Sequence, residues 1–235
     1  MLVIGHRGAR GLANENTIES MQAGVDSGAL ILEIDIQLSQ DGIPIVLHDA
    51  SLLRTHGIRA KVRHLDYAQI KKITADGYPI PTLKEALDEY WGKVYLNIEV
   101  KSRGTGHATA ELINRTFIKK QSDWQNCFVS SFSVRELKAA REISPKLNLA
   151  LIQNRNPFAF LAYVRKLNLA AVGFHRLYTN PLATGVAKKL NMFTYAYTVN
   201  RPKGAIIMAE NGIDAIVTDY PQKMLLELEK HSLLD

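Results

Sequence analysis

A chain of 235 residues, 46% hydrophobic and 22% charged, has a soluble globular composition with enough apolar mass for one large α/β barrel or two ordinary domains. No apolar run approaches the roughly 18 residues of a membrane span, and Met1-Leu2-Val3-Ile4-Gly5-His6 lacks the basic flank and cleavage site of a secretory leader. The net charge is +6, with Lys and Arg spread along the chain rather than gathered in one stripe. This suits a solvated surface or the attraction of small anions, and argues against a nucleic-acid partner.

Short apolar runs alternate with amphipathic stretches from end to end. The runs Leu2–His6, Leu30–Gln37, Val94–Lys101, Phe128–Ser131, Leu147–Ile152, Ala170–Phe174, Phe193–Thr198 and Ala215–Thr218 read as eight strands. Helix-start chemistry follows several of them. Asn16-Thr-Ile-Glu19, Thr82-Leu-Lys-Glu85 and Ser133-Val-Arg-Glu136 fit a capping box or its Asn variant. Asn156-Pro157 and Asn180-Pro181 place a cap before a proline suited to the first helical turn, and Asn200 and Asp219 are candidate caps for the next two helices.

Eight strands alternating with helices in a chain of this length point to one α/β domain over residues 1–235, a (β/α)8 barrel. An open doubly wound sheet is the competing architecture, but no Gly-rich phosphate loop supports it. One segment interrupts the alternation after the second strand. Ser39-Gln-Asp-Gly42 is a turn, Ile43–Leu47 a further extended run, and Arg54 to Lys72 a basic, polar excursion over one end of the barrel. Cys127, alone of its kind, allows no internal disulfide and reads as a buried thiol, so the expected compartment is the cytoplasm.

The polar residues collect where a barrel keeps its chemistry, at the C-terminal ends of strands. The first strand ends in His6-Arg7, the second carries Glu33 and Asp35, the extra run ends in His48-Asp49, and the third strand ends in Glu99-Val-Lys101. Residues two apart in a strand share a face, so Glu33 pairs with Asp35 and Glu99 with Lys101. Each motif alone has a structural explanation: a surface ion pair, a hydrogen-bonded core imidazole, a turn. If the three carboxylates face inward, they cannot all stay ionised without a cation, and an all-oxygen set suits one Mg²⁺ or Ca²⁺ better than zinc.

His6-Arg7-Gly8, Glu15-Asn16-Thr17, Glu33-x-Asp35-x-Gln37, Asp41-Gly42 and His48-Asp49 together resemble the signature of the glycerophosphodiester phosphodiesterases. Ile80-Pro81-Thr82-Leu83, Asn97 to Lys101, Ser130-Ser131-Phe132, Thr198-Val199-Asn200, Gly212-Ile213-Asp214 and Thr218-Asp219-Tyr220-Pro221 extend the match, in order, over nearly the whole chain. The resemblance implies a TIM barrel with a divalent metal on Glu33, Asp35 and Glu99, an acid/base pair of His6 and His48, and phosphate contacts from Arg7 and Lys101. It implies hydrolysis of small glycerophosphodiesters to an alcohol and sn-glycerol 3-phosphate; that no run is long enough for a span separately argues against membrane insertion.

The chain departs from the family pattern at Asn14, Leu30, His56 and Tyr197, of which only Tyr197 borders the expected mouth and bears on the alcohol head group. Two other readings compete. A lysophospholipase D-type enzyme would have an apolar mouth. A catalytically silent phosphate-binding barrel would have lost a histidine or a ligand, and none of the matched positions is lost.

Overall fold

Eight strands that each bury both faces must alternate their side chains between the inside of a barrel and the helices around it. The computed structural model describes residues 1–234 and has this arrangement. Its strands are β1 (Leu2–Gly5), β2 (Ile31–Leu38), β3 (Pro44–Val46), β4 (Tyr95–Val100), β5 (Cys127–Ser131), β6 (Asn148–Gln153), β7 (Leu169–His175), β8 (Phe193–Tyr197) and β9 (Ala215–Thr218). All but β3 are parallel and run β1-β2-β4-β5-β6-β7-β8-β9, with β9 pairing back to β1 to close the barrel. Each barrel strand begins and ends within one residue of the expected limits. The short β3 lies antiparallel against the end of β2.

The helices are α1 (Ile18–Asp26), α2 (Leu53–His56), α3 (Tyr67–Ile73), α4 (Leu83–Tyr90), α5 (Thr105–Leu112), α6 (Val134–Ile143), α7 (Val164–Leu167), α8 (Pro181–Lys189), α9 (Pro202–Glu210) and α10 (Pro221–Lys230). Two apolar layers follow from strand alternation. Leu32, Ile34, Ile36, Ile98 and Val100 belong to the large core between barrel and helices. Ile4, Ile31, Ala150, Ala171, Tyr195, Ala215 and Val217 form a second cluster from the opposite face of the strands, which fills the barrel's interior. Packing there is tight: a Cβ on Gly173 would come within 2.6 Å of the Tyr195 ring. This apolar plug is the floor on which the polar ends of the strands stand.

The excursion is less polar than its composition suggested. Ile45, Leu47, Leu52, Val62, Ile70 and Ile80 bury one another in a cluster of their own beside the barrel. Their irregular spacing follows a short helix, a 3₁₀ turn and another helix, which is why no period revealed them.

Thr82 and Glu85 make the expected capping box, and Asn180 caps α8 ahead of Pro181. Ser133 caps α6, but the Glu136 carboxylate turns away to accept from Gly104 N and Gly106 N, holding the loop after β4. Other expected caps are corrected. Thr17, not Asn16, caps α1. Asn156-Pro157 leads into a 3₁₀ turn, Ala159–Ala162, rather than an α-helix. Neither Asn200 nor Asp219 caps a helix, because tertiary partners engage both side chains.

Candidate active site

In the parallel pairing of β2 with β4, Asp35 lies opposite Glu99 and Glu33 opposite Asn97. Glu33, Asp35 and Glu99 are all buried, and one oxygen from each lies within 4.8 Å of the others. The structure therefore brings Glu99 of β4 together with the Glu33 and Asp35 pair of β2, the arrangement expected if all three carboxylates face inward. Lys101, from the end of β4, pairs with Asp35 at 2.9 Å and also with Glu99.

Arg7 joins them from the turn after β1. Its backbone is left-handed (φ 52°), as is that of Asn16 (φ 60°), which non-glycine residues rarely adopt without compensating contacts. Those contacts are present. Arg7 N donates to Glu33 Oε2 at 2.8 Å, and its guanidinium donates to Glu15 at 2.7 Å and lies 3.2 Å from Asp35. The Asn16 amide donates to Asp35 Oδ2 at 2.9 Å while its carbonyl accepts from Asp35 N at 3.1 Å.

The two histidines are each fixed through Nδ1. His6 Nδ1 meets Asp219 Oδ1 at 2.5 Å, leaving Nε2 4.0 Å from Glu33. His48 Nδ1 meets Asp49 Oδ1 at 2.6 Å, and the His48 carbonyl accepts from the Gln37 amide at 2.8 Å. Arg54, on α2, clamps the loop by donating to both Asp49 and Glu15.

The charges in this cluster are under strong tension. Burial opposes ionisation of Asp35, but Lys101 and Arg7 overcome it and hold its pKa below the usual carboxylate range. Burial, reinforced by Asp35 and Glu99, lifts Glu33 well above that range. Burial also pushes Glu99 up to about 7 despite Lys101. Glu33 Oε1 is buried without a hydrogen-bond partner among the described residues. An orphaned carboxylate oxygen beside two further carboxylates is what a hard cation requires: an all-oxygen donor set that gains by being fully ionised. The residues present thus fit a divalent metal. Both histidines have lowered pKa values, chiefly through burial, with Asp219 opposing the shift at His6 and Asp35 opposing it at His48.

A sequence model of the glycerophosphoryl diester phosphodiesterase family matches residues 6–223. The chain belongs to this family. YhdW of Bacillus subtilis is 31% identical over 94% of this chain and 95% of its own. A glycerophosphodiester phosphodiesterase of Caldanaerobacter subterraneus is 29% identical over 95% and 96%. Among solved structures, a phosphodiesterase from Oleispira antarctica in complex with the product sn-glycerol-3-phosphate superposes with a TM-score of 0.85 at 27% identity, covering 97% of each chain. The family's closed barrel is the fold seen here.

Three parts of the site escaped the sequence reading. Asp219 read as a helix cap, yet it accepts from the Asn200 amide at 2.7 Å, pairs with Arg10 at 2.8 Å and holds His6. Glu15 lay in the matched motif without a role, and it joins Arg7 to Arg54. Asn16 read as a cap and instead binds Asp35. Asp219 reaches His6 across the barrel closure, Glu15 joins loops and Asn16 reaches from a loop to β2, contacts for which a single sequence carries no signal beyond the residue type.

Proposed function

We propose that this protein hydrolyses glycerophosphodiesters to an alcohol and sn-glycerol 3-phosphate, using one divalent cation, Mg²⁺ or Ca²⁺, and a two-histidine acid/base pair. The observation that carries the reading is the buried trio Glu33, Asp35 and Glu99, with Glu33 Oε1 unpartnered, standing beside two cations at the mouth of the barrel. The product complex of the Oleispira antarctica relative supports the substrate class.

When bound, the cation supplies Lewis acidity and charge neutralisation to the phosphoryl oxygens. The chain's own residues do the rest. Arg7 and Lys101 offset the negative charge that repels an attacking oxygen and that grows in the transition state. One imidazole takes the proton of the attacking oxygen as its bond to phosphorus forms. The other delivers a proton to the alcohol oxygen as the P–O ester bond breaks. With Nδ1 of each ring tied to a carboxylate, Nε2 is the atom left for this transfer.

A panel of glycerophosphocholine, glycerophosphoethanolamine, glycerophosphoglycerol and lysophosphatidylcholine, with and without Mg²⁺ or Ca²⁺, tests the activity and the head-group preference together. Inertness toward all four under every condition would make the phosphate-binding barrel the better reading. A lysophospholipase D reading has one observation in its favour: exposed Phe132, Phe158 and Leu161 on loops at the mouth. It predicts that lysophosphatidylcholine is the best substrate of the panel.

Lys101→Met removes the cation that pairs with both Asp35 and Glu99. The expected result is a raised KM together with a lowered kcat, since the ammonium serves ground and transition states alike. Wild-type kcat/KM would reduce Lys101 to a structural ion pair. Asp219→Ala leaves His6 in place without its Nδ1 partner, so kcat drops about 10²-fold while KM changes little. An unchanged kcat would show that His6 does not need the orientation that Asp219 provides.

A further inference from the structure

Charge is unevenly placed in this chain, and the asymmetry lies in where acids are missing. Between Glu142 and Glu210 there are nine Lys and Arg residues and not one Asp or Glu. The stretch contributes +9 to a chain whose total is +6, so the remainder is net negative. It is one side of the barrel, from the end of α6 through β6, β7 and β8 to α9. Arg155, Arg176 and Arg201 lie just past the C-terminal ends of β6, β7 and β8, on the same rim as the candidate active site. All three are exposed, and none forms an ion pair with a described residue.

The same rim carries uncovered apolar groups. Leu177 (70% exposed) and Leu182 (74%) are the two most exposed large apolar side chains among the described residues; Tyr178 stands out beside Leu177, and Phe158 and Leu161 stand out on the segment that follows the neighbouring β6. Scattered exposed leucines need no explanation, whereas a cluster on neighbouring loops does. The patch is continuous with the mouth. The Tyr178 ring packs tilted against His175 at 5.5 Å, His175 meets Tyr197 edge to face at 5.7 Å and Tyr197 meets Phe132 edge to face at 5.8 Å, and Lys101 Nζ lies 6.0 Å from the Phe132 ring.

Protruding leucines and aromatics among unpaired arginines match an anionic lipid surface. Apolar tips enter the boundary between head groups and acyl chains, tyrosine rings favour that boundary, and guanidinium groups meet lipid phosphates. The missing acids complete the match, since an anionic surface repels carboxylates at close range.

We propose that the rim formed by the loops after β6, β7 and β8 docks this protein peripherally on an anionic bilayer, with the mouth of the barrel facing the lipid. Contact is made by loop tips alone, for no helix among the described residues is long and apolar enough to cross a membrane. The docking is independent of the catalytic reading and holds equally for an inactive barrel.

Cosedimentation of the full chain with vesicles of phosphatidylcholine, or of phosphatidylcholine and phosphatidylglycerol in equal parts, tests it. The protein should pellet with the anionic vesicles only, and added salt should release it as the Debye length falls from about 30 Å at 0.01 M to about 8 Å at 0.15 M. Arg155→Ser/Arg176→Ser/Arg201→Ser should weaken partitioning by about 10²-fold, roughly fivefold per arginine. Leu177→Ser/Leu182→Ser should weaken it at every salt concentration. Lys166→Ser/Lys189→Ser, at the opposite end of the barrel, should bind like the wild type. All of these side chains are exposed, and thermal melts followed by circular dichroism check that each variant folds. The proposal fails if the wild type stays in the supernatant with anionic vesicles, or if the Lys166/Lys189 variant loses as much as the rim variants. It fails too if the rim changes abolish binding to an oligonucleotide but spare the vesicles, which makes nucleic acid the partner.

Discussion

Replacing His6 or His48 with alanine should each lower kcat by about 10²–10⁴-fold with the fold and the response to divalent cations intact. The two rings come from different elements and reach the mouth from the ends of β1 and β3. Each is oriented by its own carboxylate, Asp219 at 2.5 Å or Asp49 at 2.6 Å, so neither substitutes for the other. The double variant should lose little more than the worse single one, because a proton taken and a proton given belong to one event. The wild-type pH–rate profile should be bell-shaped, and each single variant should lose one limb. A base must be neutral to act, so the acidic limb reports its protonation and the alkaline limb reports loss of the acid's proton. Burial favours the neutral form of both imidazoles and draws both pKa values below the ordinary value. In the free protein the limbs should therefore lie on the acid side of where exposed histidines would place them. Near-normal turnover in either single variant would remove that histidine from the mechanism.

Stripping divalent cations should abolish hydrolysis, and Mg²⁺ or Ca²⁺ should restore it. A second readout needs no substrate. A cation at about 100 times its Kd stabilises the fold by about 2.7 kcal/mol. For a chain of this size that is a rise in Tm of about 5–11 °C. Glu33→Gln should remove both the thermal shift and the activity. It should still fold without metal, since burial beside Asp35 and Glu99 already disfavours a charge at that position. Full activity in chelator-treated, metal-free protein would sink the metal reading, as would a Glu33→Gln variant that keeps the thermal shift.

The barrel was legible because the pattern that specifies it is local. Each strand is a short apolar run, and the boxes at Thr82 and the Asn180-Pro181 pair mark helix starts with residues that act on their own backbone. The carboxylate trio was legible for the same reason. A period of two in β2 and β4 fixes which side chains share a face, and the apolar residues between them fix which face looks outward. Local pattern misled where a residue has two uses. Asn16, Asn200 and Asp219 have the chemistry of caps, but hydrogen bonds to Asp35, to one another and to His6 claim them. The acid-free stretch from 143 to 209 is visible as composition, but Lys and Arg spread along the chain disguise it, because the asymmetry lies in the missing acids and not in gathered cations.

The sequence by itself determined the closed α/β barrel, the end of it that carries the candidate site, and the residues that share an inward face. These follow from backbone periodicity and from side-chain types that admit few roles. Only the tertiary structure decided which partners those residues meet. His6 faces Asp219 because β9 closes against β1, joining residues 213 positions apart. Glu15 ties Arg7 to Arg54 because the excursion folds back across the mouth. Leu177 and Leu182 share a rim with Arg155 and Arg201 because β6, β7 and β8 pair in parallel side by side and open their following loops at one end of the barrel. Hydrogen bonds and ion pairs act over a few ångströms in space, and a linear chain does not record which of its distant residues barrel closure brings within that reach.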